Sequence, residues 1–153
     1  MPSIHLTNFI PSPVNKLYSL SQSIAIHEMH CKNLNEHFKG VAGGDKLQNG
    51  DSFTMSFTAG GKTLVSTFRV ITTEEPKAII AEQIKGSFSH FRHEQYFKEI
   101  ENGSIIIDKI DFGYPSNIFH RLLTGLFLKK RILNIFTERI NLINKKSISE
   151  IRE

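Results

Sequence analysis

Apolar and polar residues alternate with period two over most of the chain, and the period changes to about 3.6 after Ser116. Ile4 to Ile10 alternates and stops at Pro11-Ser12-Pro13, which predicts a first strand closed by prolines. Ser12 suits an N-cap and Pro13 a first helical residue, for a short helix reaching about Leu20. Ser23 suits the cap of a second short helix through Ile24, Ile26 and His30.

Strand segments punctuated by turns follow. Asn33 to Lys39 runs into Gly40-Val41-Ala42-Gly43-Gly44, which reads as a loop over a pocket rather than a phosphate cradle. Asn49-Gly50-Asp51 turns the chain into a strand with Phe53, Met55 and Phe57 in phase. Gly60-Gly61 leads into Lys62 to Thr73, where Leu64, Phe68 and Val70 share a face, and Glu74-Glu75-Pro76 leads into Lys77 to Lys85. Two long strands then meet at Asn102-Gly103, the second running from Gly103 to Tyr114. Short turns without intervening helices predict an antiparallel meander.

From Ser116 or Asn117 as cap, Ile118, Leu122, Leu126, Leu133, Phe136, Ile140 and Ile143 mark one face of a long helix. The order is one strand, two short helices, about six strands and a terminal helix. Such a sheet must bury the helix's apolar stripe. The expected fold is α+β and helix-grip, with a curved antiparallel sheet wrapped around the long C-terminal helix and a hollow between them. At 153 residues the chain is expected to form one ligand-cavity domain spanning 1–153.

In the two long strands, Phe91, His93, Gln95 and Phe97 fall on one face, and Ile106, Asp108, Ile110, Phe112 and Tyr114 on the other strand's matching face. Both sets are mostly apolar and are expected to point inward, leaving Arg92, Glu94, Lys98, Lys109 and Asp111 to solvent. His93, Gln95 and Asp108 are therefore polar intrusions on an aromatic face, where a carboxylate must be paired or protonated. A turn at Asn102-Gly103 puts Asp108 opposite Phe97, so a direct His93–Asp108 contact needs a register shift or a water. Glu82 is in phase with Ile80 and Ile84, while Ile79, Ala81 and Gln83 form the competing inward phase.

Composition sharpens this. Twelve Phe, three Tyr and no Trp suit a core or a greasy pocket wall. The net charge of +4 is modest, and its one cluster, Lys129-Lys130-Arg131, reads as a solvated face, so no nucleic-acid partner is expected. One cysteine, Cys31, and no signal-like start predict a cytoplasmic protein, and no apolar run is long enough for stable membrane insertion. The histidines are scattered, so no metal and no cofactor are expected. His27 and His30 fall near the cavity mouth, where lone histidines serve as surface or packing residues.

The positions His27, Glu36, Gly40, Gly50-Asp51, Gly86-Ser87-Phe88, His93 to Phe97, Asp108, Tyr114-Pro115 and Arg139 to Leu142 together resemble a known pattern. It is that of the START-related superfamily of ligand-binding and polyketide cyclase/dehydrase-like proteins, also called SRPBCC. The chain is most similar to small bacterial members labelled ligand-binding or cell-division-inhibitor-like. Ser87 departs from the usual proline, Glu82 from the common aspartate, and Thr58-Ala59-Gly60 lacks the frequent histidine and aromatic residue. The superfamily hosts many activities, so the resemblance implies a fold and a ligand cavity rather than a reaction.

Three functional classes follow. The first is binding of a small hydrophobic or amphipathic molecule, with Phe53, Phe57, Phe91, Phe97, Ile110 and Phe112 as walls. His93, Gln95, Asp108 and Tyr114 would orient it. The second is a cyclase, dehydratase or isomerase using His93 and Asp108 as acid and base. The third is a protein or membrane-surface interaction module around Phe127 and Leu128, which are expected partly off the core stripe, with a homodimer through that patch as its simpler form.

Overall fold

The computed structural model describes residues 3–34, 36–40, 44–59, 61–114 and 121–151, with the side chains of 57, 62, 121–126, 150 and 151 left aside. Strand β1 (Ser3–Ile10) is followed by helices α1 (Val14–Gln22) and α2 (Ile24–Asn33). Strands β2 (His37–Gly40), β3 (Ser52–Ala59), β4 (Lys62–Glu74) and β5 (Ala78–Gly86) come next. Strands β6 (Phe91–Ile100) and β7 (Gly103–Phe112) precede the long helix α3 (Arg121–Ile151). Among the described residues the sheet has seven strands in the order β1-β7-β6-β5-β4-β3-β2, every pair antiparallel. This is the expected α+β helix-grip arrangement.

Curvature enters where β4 and β5 slip against each other, between Thr67 and Phe68 and again between Val70 and Thr72. Each slip bends the strand and strengthens its twist. The slips also decide the phase of β5: Ala78 and Ala81 are buried and Ile79 packs on the core, while Glu82 faces outward to Arg92. Gln83 turns inward and fixes the corner after β5, accepting from Ser66 Oγ (2.8 Å) and donating to the Phe88 carbonyl (2.8 Å). A Cβ on Gly86 would sit 2.6 Å from Ser66 Cα, so only glycine closes this corner. Ser87 Oγ bonds the Val65 backbone at 3.1 and 3.2 Å.

Several local expectations shift. Ser23 caps α2 through Ile26 N (3.3 Å), but Ser12 caps nothing: α1 begins after Pro13, and Ser12 lies one residue too early to reach the first turn. Ser12 is buried, its carbonyl accepting from Ser104 Oγ (2.8 Å). Helix α2 continues to Asn33, leaving only His37–Gly40 of the expected Asn33–Lys39 strand.

On α3 the buried stripe is Leu128, Ile132, Ile135, Phe136, Arg139, Ile140 and Ile143. This is a continuous i, i+3, i+4 pattern. Leu133, one residue out of phase, is 38% exposed, and Leu128 is buried while Phe127 is 61% exposed. The expected cap at 116 or 117 and position 118 lie outside the described residues, as do the side chains at 122 and 126.

Two hydrophobic clusters lie between sheet and helices. One is aromatic, with Phe53, Phe68, Phe88, Phe91, Phe112 and Phe136 beside Leu128, Ile132 and Ile135. The other is mainly aliphatic, joining Ile10, Val14, Leu17 and Ile26 to Ile106, Ile140 and Ile143, with Tyr18 and Phe97 edge to face at 5.3 Å. Each fully buried aliphatic or Phe side chain contributes on the order of 1.5–3 kcal/mol.

Candidate functional site

The β6–β7 hairpin sets the site. Ile100 pairs with Gly103, so Glu101 and Asn102 form the loop, and Asn102 takes the left-handed conformation (φ 68°) that asparagine tolerates. The pairing is thereby shifted two residues from that expected for a turn at Asn102-Gly103: Gln95, not Phe97, stands opposite Asp108. A shift of two keeps every side chain on its face, so the inward sets hold while their pairing changes.

The shift brings His93 and Asp108 into direct contact. His93 Nε2 lies 2.6 Å from Asp108 Oδ1, and Gln95 Nε2 donates to the same oxygen at 2.9 Å. Asp108 is fully buried, and an ionised carboxylate there can only accept, which pairs with a His93 proton on Nε2. His93 Nδ1 is then the basic nitrogen. Its ring rests 4.6 Å from that of Phe136.

His93 lines a small cavity of about 40 Å³ whose apolar wall includes Phe53, Phe68, Phe91, Ile132, Ile135 and Phe136. Met55 and Ala81 add to the wall, and Arg139 reaches the cavity from α3. Of the residues singled out in the sequence, Phe53, Phe91 and His93 border this space, with Gln95 and Asp108 directly behind His93. Ile110 and Phe112 are buried in the same cluster, and Tyr114 meets Phe112 edge-on at 5.9 Å. Phe97 lies in the aliphatic cluster against Tyr18, away from the cavity. The side chain of Phe57 falls outside the described residues.

Helix α2 supplies a second polar layer. His27 and His30 are both buried, His27 Nε2 bonding the Ser21 carbonyl (2.9 Å) and His30 Nε2 the Ile135 carbonyl (2.7 Å). A carbonyl accepts, so both rings carry the proton on Nε2, and neither Nδ1 has a partner. Burial, reinforced by the nearby Arg139 charge, pushes His27 well below the usual histidine range and His30 down to about 3. Burial raises the Cys31 thiol. His27 stacks on Phe38 at 5.3 Å, so the packing role expected for these histidines holds, in the interior.

Arg139 was not legible as a site residue. It is 6% exposed, stacks over Phe136 at 4.8 Å and points Nη2 at Met55 Sδ at 3.9 Å. Its Nε has no hydrogen-bond partner, and it forms no ion pair among the described residues. Burial holds its guanidinium below the ordinary value. Arg131, by contrast, is satisfied, pairing with Glu36 and donating from Nε to the Thr58 carbonyl (3.1 Å). Among the described residues no three His, Cys, Asp or Glu side chains converge as a metal would require, and no helix is long and apolar enough to cross a membrane.

No protein-family model matches the chain, and no curated protein matches it by sequence. Solved structures do match its shape. TTHA0849 from Thermus thermophilus superposes with a TM-score of 0.80 at 16% identity, covering 97% of this chain and 99% of that one. The Zhui aromatase/cyclase from Streptomyces sp. R1128 gives 0.73 at 12% identity, covering 98% and 95%. Ara h 8.0201 gives 0.66 at 14% identity, covering 97% and 98%. At these identities the likeness defines the fold alone: the chain has the helix-grip fold that these structures share.

Proposed function

We propose that this chain is a single ligand-cavity domain that binds a small hydrophobic or amphipathic molecule between its sheet and α3. One observation carries the reading: a cavity walled by phenylalanines is bordered by two polar groups, His93 and Arg139. Apolar walls with a few convergent polar groups are what small-molecule sites use for affinity and orientation. The cavity of about 40 Å³ has room for a few waters only. A ligand therefore enters by turning phenylalanine side chains aside, and the stacked run from Phe38 through Phe53 to Phe68 offers rings that move together. The reduced thiol of Cys31 suits a cytoplasmic setting.

Native mass spectrometry of gently purified protein, compared with its denatured mass, tests this. An added mass released by denaturation is expected, with weaker retention in His93→Ala. A bare chain mass, together with no uptake of added apolar compounds, would sink the reading.

A second reading is favoured by the 2.6 Å His93–Asp108 contact. A carboxylate that fixes the histidine tautomer leaves Nδ1 as a general base, worth about 10²–10⁴-fold in rate. The reaction class is cyclisation, dehydration or isomerisation. Turnover of a polyketone or enolisable ketone whose pH–rate profile disappears in His93→Gln supports it, and equal turnover in that variant contradicts it.

A further inference from the structure

Arg139 is a buried cation whose partner the described part of the protein does not supply. It is 6% exposed, and its Nε donates to nothing. Its remaining contacts are a thioether 3.9 Å away and the face of Phe136. Neither balances a full charge taken out of water.

The polar groups around it make no hydrogen bond or ion pair to it, and Asp108 acts on it only through its charge at a distance. Asp108 Oδ1 already accepts from His93 and Gln95, and Glu36 is engaged by Arg131 and the Thr58 amide. His27 and His30 spend their ring N–H groups on backbone carbonyls. A guanidinium presents several donors in a planar fork that matches a carboxylate bidentately. The lone pairs left without donors nearby, His27 Nδ1, His30 Nδ1 and Asp108 Oδ2, oppose a second negative charge. The rest of the cavity wall is aromatic and aliphatic.

We propose that Arg139 anchors the carboxylate of the bound molecule, so that the ligand is an apolar monocarboxylic acid rather than a neutral hydrocarbon or alcohol. This rests on the ligand-cavity reading and narrows it to one chemical class. The acid's apolar body lies among Phe53, Phe68, Phe91 and Ile132, and its head lies toward α3. His93 borders the same cavity from β6, its ring and the Arg139 guanidinium both resting on Phe136.

The test uses matched probes by calorimetry on the whole chain: octanoate against 1-octanol, and 1-naphthoate against 1-naphthol. Wild type is expected to bind at least one acid about tenfold or more tightly than its alcohol, the size of a hydrogen bond to a charged group. Arg139→Met is expected to abolish that preference, bringing acid and alcohol level, while Arg139→Lys keeps part of it. The ligand-free Arg139→Met protein is expected to melt at or above wild type. Acids and alcohols bound equally by wild type would overturn the anchor and leave the cavity standing. A preference that survives Arg139→Met would also overturn the anchor. Melting well below wild type would show instead that Arg139 is held internally, as by a water shared with Asp108 Oδ2. Failure of all four probes to bind would overturn both the anchor and the cavity.

Discussion

Around Leu17, Ile106 and Ile143 the interior is aliphatic, and the buried polar atoms that lack partners beside Ile10 and Ile143 are the neutral oxygens of Ser12 and Asn144. Around Phe53, Phe68, Phe91 and Phe136 it is aromatic, and the unpartnered atoms belong to Arg139, Asp108, His27 and His30. A neutral hydroxyl without a partner is a modest local loss, whereas an uncompensated charge or an unpaired buried imidazole is a large one. The two ends of one core are thus built to different criteria. The aliphatic end packs apolar side chains without buried charge, whereas the aromatic end leaves charged and imidazole groups short of partners beside a cavity.

The comparison breaks most sharply under truncation. Ile106→Ala, at a fully buried position in the aliphatic cluster, is expected to lose about 2–5 kcal/mol in urea melts. Its affinity for apolar acids should be unchanged. At the aromatic end Arg139→Met is expected to gain about 1–4 kcal/mol, because an uncompensated charge is replaced by a side chain that packs. Opposite signs from two buried positions would sharpen the contrast, and equal losses would erase it. Asp108→Ala comes next, with an expected loss of about 1–3 kcal/mol, because Gln95 Nε2 and His93 Nε2 lose their acceptor.

The smallest effect is a pH dependence. His30 titrates at about 3 in the folded protein against 6.5 when free, and His27 is shifted the same way. The folded state therefore binds fewer protons than the unfolded chain below pH 6.5, so stability is full above that value and falls as the pH drops toward the folded pKa. Between pH 6.5 and 5.5, where most carboxylates remain charged, each histidine is expected to remove roughly 1 kcal/mol. A His27→Gln/His30→Gln double variant should flatten that slope in denaturant melts at the two pH values. An unchanged slope would place the histidines in contact with water.

Much of the fold was legible because it rests on periodicity. The inward faces of β6 and β7 follow from alternation, and a register error of two leaves them intact. The pairing itself was not legible, since Asn102 rather than Gly103 supplies the left-handed residue of the loop and either choice fits the same letters. The phase of β5 was ambiguous because two slips against β4, invisible in the sequence, settle it. Along α3 the stripe was read through Leu133 because leucine suggests burial. The true stripe passes through Arg139, and arginine suggests solvent. The site's unusual member was thus hidden by the rule that locates most cores. A signal did exist: Arg139 follows Ile132, Ile135 and Phe136 at helical spacing, so it sits on the apolar face.

The most direct test of a ligand cavity at the aromatic end is an NMR titration of labelled wild-type protein with 1-naphthoate, followed at side-chain methyl and backbone amide signals. The account predicts saturable shifts at Met55, Ala81, Ile132 and Ile135, with Leu17, Ile106 and Ile143 unmoved. Shifts confined to the surface or to the aliphatic cluster, or no shifts at all, would contradict it.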